Sequence, residues 1–289
     1  MGILLRNLVP YLPFEHVTYP ASFVEPRADF DFVQRAAGTI RAQMDLHGDV
    51  VDFDDIISFF KGVNAILVPV MWGKRKQHEN ALHIYLPDSR TTWVYLNLDT
   101  KIMDFKFWMA HELAHVKAPH MADDDAEKFA DMFAAELLFP LKLAEESYSH
   151  LLRVQSPGKL ITDVQSIATE FVISPLTVLS QLNRVAERRG DQPWELNMHG
   201  ATTNFNKSFA DVHQTLFGTD DASAKQLVEK ADEVFQTPFY SMLRHYLIDS
   251  GKEASFVQRV LNLNVLDAKS IYKELVGHGE FAPCLRHKR

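Results

Sequence analysis

His111 and His115 stand four residues apart in the stretch Trp-Met-Ala-His-Glu-Leu-Ala-His that ends at position 115. On an α-helix that spacing stacks two imidazoles on one face. Glu112 lies beside them. Two imidazoles so placed are a zinc-binding pair, and the adjoining carboxylate is a general base for an attacking water. The same five residues also fit a buried helix whose histidines only satisfy polar partners. The zinc reading therefore needs a third ligand, because catalytic zinc takes three protein ligands and keeps one position open.

The next segment, from Asp123 to Pro140, supplies candidates. Ala126, Phe129, Ala130, Phe133, Ala134 and Leu137 recur at helical spacing. The aspartates at 123–125 suit a helix start, as caps and against the dipole, and Pro140 marks the end. Glu127, Ala130, Asp131 and Ala134 share one face, and the alanines let another helix approach closely. Glu127 and Asp131 are like charges at i,i+4, which is unfavourable on a bare surface. A zinc ion and an imidazole N–H would relieve that repulsion. Glu127 is therefore read as the third ligand and Asp131 as the partner that orients one ligating histidine. An ordinary acidic solvent face is the competing explanation. His120 falls one residue short of the third histidine in the longer H-E-x-x-H-x-x-G-x-x-H pattern, and Ala118 stands where that pattern has glycine. Asp123 to Asp125 and Glu136 are weaker alternatives.

Ala-His-Glu-Leu-Ala-His, followed by Glu-x-x-Ala-Asp-x-Phe-Ala-Ala-Glu-Leu-Leu-Phe-Pro, resembles the ImmA/IrrE family of bacterial zinc metallopeptidases. Phe139 replaces that family's usual methionine, and the gap between the two blocks is short. The resemblance covers roughly residues 50 to 190. It implies zinc held by His111, His115 and Glu127, with Glu112 as general base. It also implies a specific protein substrate, most plausibly a helix-turn-helix transcriptional repressor whose cleavage releases a stress, phage or mobile-element programme.

The chain has 289 residues, 46% hydrophobic and 24% charged, which suits a folded globular protein of one large or two smaller domains. A net charge of −8 argues against broad binding to nucleic acid or anionic membranes. The single cysteine, Cys284, forms no intramolecular disulfide and fits a reducing cytoplasm. The apolar start is short and broken by prolines, and does not read as a signal peptide. No stretch approaches the roughly 18 apolar residues of a membrane helix. The expected location is the cytoplasm.

Several elements would position the chemistry. Residues 1–28, with four prolines and the aromatics Tyr11, Phe14, Tyr19 and Phe23, read as an extended arm packed on the domain. Helices are expected over 29–46 and after an Asp52 cap. Strands follow at 63–72, where Pro69 argues for an edge or a bulge, at 81–86 and at 91–98, forming a small antiparallel sheet. An edge of such a sheet can hold a substrate backbone by strand addition. His78 and His83 read as loop and sheet histidines. Asp99 or Asp104 would cap the histidine-bearing helix, with Phe105, Trp108, Met109 and Leu113 as its core contacts.

A helix over 141–152 carries Tyr148 and His150, candidates to donate to a developing oxyanion. Residues 161–171 and 175–189, joined by a short turn with Ser174 as cap and Pro175 at the first position, have helix-turn-helix spacing. Direct DNA contact through 161–189 would use Arg184, Arg188 and Arg189. However, Leu176, Val178, Leu179 and Leu182 leave few polar groups for base edges, so a structural role is favoured. Beyond 193 the chain reads as helices: 205–216, 222–235 capped by Asp220 or Asp221, one after Thr237-Pro238, 255–261 and 267–276.

The expected architecture is α+β. A zincin-like metallopeptidase core of helices and a small sheet (29–152) follows the arm (1–28). A helix-turn-helix-like segment (153–192) and an all-α C-terminal domain (193–289) come after it. The expected activity is that of an endopeptidase carrying one zinc per chain. The alternative is a non-proteolytic regulator or toxin–antitoxin component that uses the core as a binding module. A zinc hydrolase of small molecules fits the ligands as well.

Overall fold

Strand β3 (Thr91–Asn97) is the centre of the sheet, flanked by β1 (Ala65–Val70) and β2 (Ala81–Leu86) in the order β1-β3-β2. The computed structural model describes residues 1–13, 22–73, 80–219 and 222–277. Phe14 and Tyr19 of the arm, the 74–79 loop with His78, the expected caps Asp220 and Asp221, and Cys284 lie outside the described residues.

The sheet is mixed, which corrects the antiparallel expectation. The short turn at 87–90 makes β2 and β3 a hairpin, with Leu82 opposite Tyr95 and Ile84 opposite Trp93. β1 pairs with the other side of β3 in parallel, Leu67 beside Val94. Parallel pairing needs a long connection, and here that connection contains β2 itself. Pro69 sits on an edge strand, as its missing N–H requires.

Each face of the sheet is covered. On one side lies α4 (Ile102–Lys117), which carries the two histidines. α4 is buried nearly all round, between the sheet, α3 (Phe53–Gly62) and α5 (Asp123–Leu138). Ala110 and Ala114 of α4 and Ala130 and Ala134 of α5 are fully buried, so the two helices approach closely where the sequence places its alanines. α2 (Phe30–Gln43), capped by Asp29, supports α5 from behind. Its Arg41 donates to the Leu137 carbonyl at 2.7 Å and to the Asp49 carbonyl at 2.6 Å.

The other face of the sheet receives the C-terminal helices. Tyr95 Oη donates to the Val260 carbonyl at 2.8 Å, Trp72 Nε1 donates to the Leu261 carbonyl at 2.8 Å, and Trp93 packs edge-on against Phe239. These partners belong to α12 (Phe239–Asp249) and α13 (Ala254–Leu261). β1's outer carbonyls are taken from the same side: Thr237 Oγ1 donates to Leu67, and Tyr240 Oη donates to Pro69 at 2.8 Å. α11 (Ala224–Glu233), capped by Ser223, and α14 (Val265–Val276) complete this layer. The start of the chain is not wholly extended. Gly2–Leu5 forms a short helix, α1, against β2 and α13, and burying Leu5 and Leu8 fixes it there.

α6 (Leu141–Leu151), α7 (Pro157–Phe171) and α8 (Pro175–Arg189) follow α5. The turn between α7 and α8 has Val172 in the left-handed region (φ 50°) and Ser174 accepting from Leu176 N–H. Buried Glu136 ties the group together, accepting from Leu141 N–H at 2.9 Å and from Gln181 Nε2 at 2.8 Å. The expected helix at 205–216 is two, α9 (His199–Lys207) and α10 (Val212–Phe217). Asp211 starts α10 with a capping box, which breaks the periodic run. The break also clamps α4: Val212 N–H donates to the Thr100 carbonyl, His213 N–H donates to the Leu98 carbonyl, and Asp211 pairs with Lys101 at 3.0 Å. Asp99 and Asp104 do not cap α4, whose N-cap is Lys101. Asp99 instead accepts from Gly73 N–H at 2.6 Å and faces His213 Nδ1 at 3.1 Å.

The fold is thus α+β, mostly helical with a small mixed sheet. Among the described residues no helix is long and apolar enough to cross a membrane.

Candidate metal centre

α4 presents His111 and His115 one turn apart, facing α5. Their Nε2 atoms are 3.1 Å from each other. From α5, the Glu127 carboxylate reaches His111 Nε2 at 3.3 Å and His115 Nε2 at 3.6 Å. One ligand atom from each of these residues lies within 4.8 Å of the other two. One turn further along α5, Asp131 Oδ1 is 3.0 Å from His111 Nδ1. His111 thus has one nitrogen held by a carboxylate and the other turned to its neighbours, the arrangement expected of an oriented metal ligand. The side chains of His111 and His115 are 4% and 17% exposed, those of Glu127 and Asp131 66% and 64%. The cluster therefore opens to solvent on its carboxylate side.

Two imidazoles and a carboxylate are a donor set that suits zinc, and their convergence in one small space fits a single ion. The groups also polarise each other. Burial works against charge on His111, but the Asp131 hydrogen bond and the nearby Glu112, Asp131 and Glu127 carboxylates hold its pKa above the ordinary histidine value. Burial, followed by the neighbouring His111, pushes His115 below it. Glu112, next along α4, is buried.

The remaining candidates fall elsewhere. Glu136 is bound to Leu141 and Gln181, and His120 and Asp123 to Asp125 are exposed outside the three-residue cluster. Tyr148 Oη donates to Asp191 at 3.1 Å while its ring stacks on Trp194 at 4.8 Å, and His150 is exposed on α6. Among the described residues neither makes a hydrogen bond or ring contact with the cluster. The arginines of α8 are engaged within the chain. Arg184 bonds Gln181 at 2.7 Å, Arg188 lies 5.1 Å over the Phe30 ring, and Arg189 lies 5.4 Å over Tyr148.

The structure adds two neighbours. Trp108, half-buried one turn before His111, has its ring 5.0 Å from that imidazole, edge-on. His83, read from sequence as a sheet histidine, lies with its ring parallel to His115 at a centroid distance of 6.1 Å. Burial, with His115 beside it, depresses the His83 pKa to about 3, so the ring stays neutral. Only strand register could reveal this contact, because it decides which face of β2 meets α4. No protein-family model matches this chain, and comparison with curated proteins finds no match.

Proposed function

We propose that the chain is a zinc-dependent endopeptidase of the ImmA/IrrE kind, acting on a specific protein inside the cell. The observation that carries this reading is the convergence of His111, His115 and Glu127, with Asp131 behind His111 and Glu112 beside it. Zinc held there would act as a Lewis acid, polarising a peptide carbonyl and lowering the pKa of water towards about 7. Glu112 takes the proton from the attacking water as its oxygen bonds to the peptide carbon. It then gives that proton to the amide nitrogen as the C–N bond breaks. Burial of Glu112 and the apolar packing of α4 limit competing water around that carboxylate.

The sheet offers a place for the substrate backbone. The bond from Asn97 N–H to the Asn80 carbonyl sets the parity of the β2–β3 ladder. Leu82, Ile84 and Leu86 turn their backbone groups towards β3, and Ala81, His83 and Tyr85 turn theirs away from the sheet. β1's outer carbonyls at Leu67 and Pro69 are taken by Thr237 and Tyr240, so β2 is the edge suited to adding a strand. The family resemblance extends the reading to a helix-turn-helix repressor as substrate.

The deciding experiment is the metal content of purified wild type and Glu127→Ala. One zinc per chain in wild type, lost in Glu127→Ala, is expected. A folded wild type that takes up no zinc on reconstitution would overturn the proposal.

A further inference from the structure

We infer that His83 orients His115, as Asp131 orients His111, so that the metal centre draws a positioning residue from the sheet. This rests on reading His111, His115 and Glu127 as the metal site. A ligating histidine ordinarily donates its second ring N–H to an acceptor, which fixes its tautomer and its aim. For His111 that acceptor is Asp131. His115 meets His111 and Glu127 through Nε2, and among the described residues no group bonds its Nδ1.

The adjacent imidazole has the complementary need. His83 Nε2 is buried and has no hydrogen-bond partner among the described residues. A buried polar nitrogen is costly to leave unpaired. An imidazole that donates from one nitrogen offers a lone pair on the other, so this nitrogen can serve as an acceptor. The two rings are within 8° of parallel, with centroids 6.1 Å apart. Two imidazoles sharing an N–H···N bond of about 2.9 Å would have centroids roughly 5 Å apart. The rings lie about 1 Å further apart than direct contact requires, so a small side-chain movement or one bridging water would have to bring His83 Nε2 to His115 Nδ1. β2 supplies the rigidity: His83 pairs with Val94 in the ladder, and its side chain stands on the face that meets α4.

The test is the zinc dissociation constant, measured by chelator competition at one pH, for wild type, His83→Phe and His83→Gln. The thermal stability of each metal-free protein is measured alongside. Phenylalanine keeps a flat ring but has no acceptor, whereas the glutamine Oε1 can accept. His83→Phe is expected to weaken zinc about 10- to 100-fold, and His83→Gln to recover most of that loss, with metal-free melting temperatures close to wild type. Wild-type zinc affinity in His83→Phe would overturn the inference. So would a loss of zinc in both variants that follows an equal loss of metal-free stability, because that marks packing alone. If Asp131→Ala weakens zinc and His83→Phe does not, the metal site stands and this inference falls. A folded wild type that binds no zinc overturns both.

Discussion

Asp131 and Glu127, one turn apart on α5, approach the two different nitrogens of the His111 ring. Asp131 Oδ1 lies 3.0 Å from Nδ1, and Glu127 Oε2 lies 3.3 Å from Nε2. One helix face therefore holds both nitrogens of His111 and completes a three-residue cluster that could hold a metal ion. The like charges that looked unfavourable at i,i+4 are separated by an imidazole.

Asp131→Ala should weaken zinc binding about 10- to 100-fold while leaving helix content unchanged, because it removes only the acceptor behind His111. Chelator competition measures the first and far-UV circular dichroism the second. Unchanged zinc affinity would show that His111 needs no such partner.

Glu112→Gln should keep a full equivalent of zinc and lower peptide-bond cleavage by about 100- to 10,000-fold, the usual worth of a positioned general base. The readout is cleavage of the protein substrate by electrophoresis, together with metal analysis. Cleavage at the wild-type rate would remove Glu112 from the mechanism.

Lys106 should make stability depend on alkaline pH. Its ammonium is buried on α4, donating to the Phe171 carbonyl at 2.7 Å, and burial lowers its pKa to about 8. Unfolded lysine titrates near 10.4. Between about pH 8 and pH 10.4 the unfolded chain holds a proton that the folded chain has lost, so this residue's contribution to stability rises with pH. Below pH 8 both states are protonated and the burial cost is fully present, on the order of 3 kcal/mol. Urea unfolding at pH 8 and pH 10, compared between wild type and Lys106→Met, isolates the contribution. A difference between the two proteins that does not change with pH would contradict it.

Tyr240→Phe should destabilise the fold by about 1–3 kcal/mol, because it leaves the buried Pro69 carbonyl without its donor. Urea unfolding followed by tryptophan fluorescence measures the loss. Trp72 and Trp93, which sit between the sheet and α12–α13, should report one transition. Two separated transitions would mean that the C-terminal helices unfold independently of the sheet.

Much of the local structure was legible because short-range rules govern it. Asp52 and Ser174 cap helices, Pro69 lies on an edge strand, and Asp131 meets a histidine, each from spacing along a single element. Elsewhere a distant partner competes for a side chain whose spacing suggests only a local role. Asp99 was a candidate cap, but Gly73 and His213 take its carboxylate. Thr237 marked a helix start, and its hydroxyl also reaches β1. Tyr148 was a candidate oxyanion donor, and Asp191 holds its hydroxyl.

The division follows the range of the forces. Helical periodicity, capping and the His111–Glu112–His115 spacing act over a few residues, and they set which side chains share a face. Which face meets which depends on strand order and register, and these follow from contacts far apart in the chain. β1 pairs with the free side of β3 because β2 and its tight turn take the other, and it runs parallel there. His83 faces α4, not α12 and α13, because hairpin register sets the parity of β2. Both were settled by burying the two faces of one sheet at once, a condition that no single segment of sequence expresses.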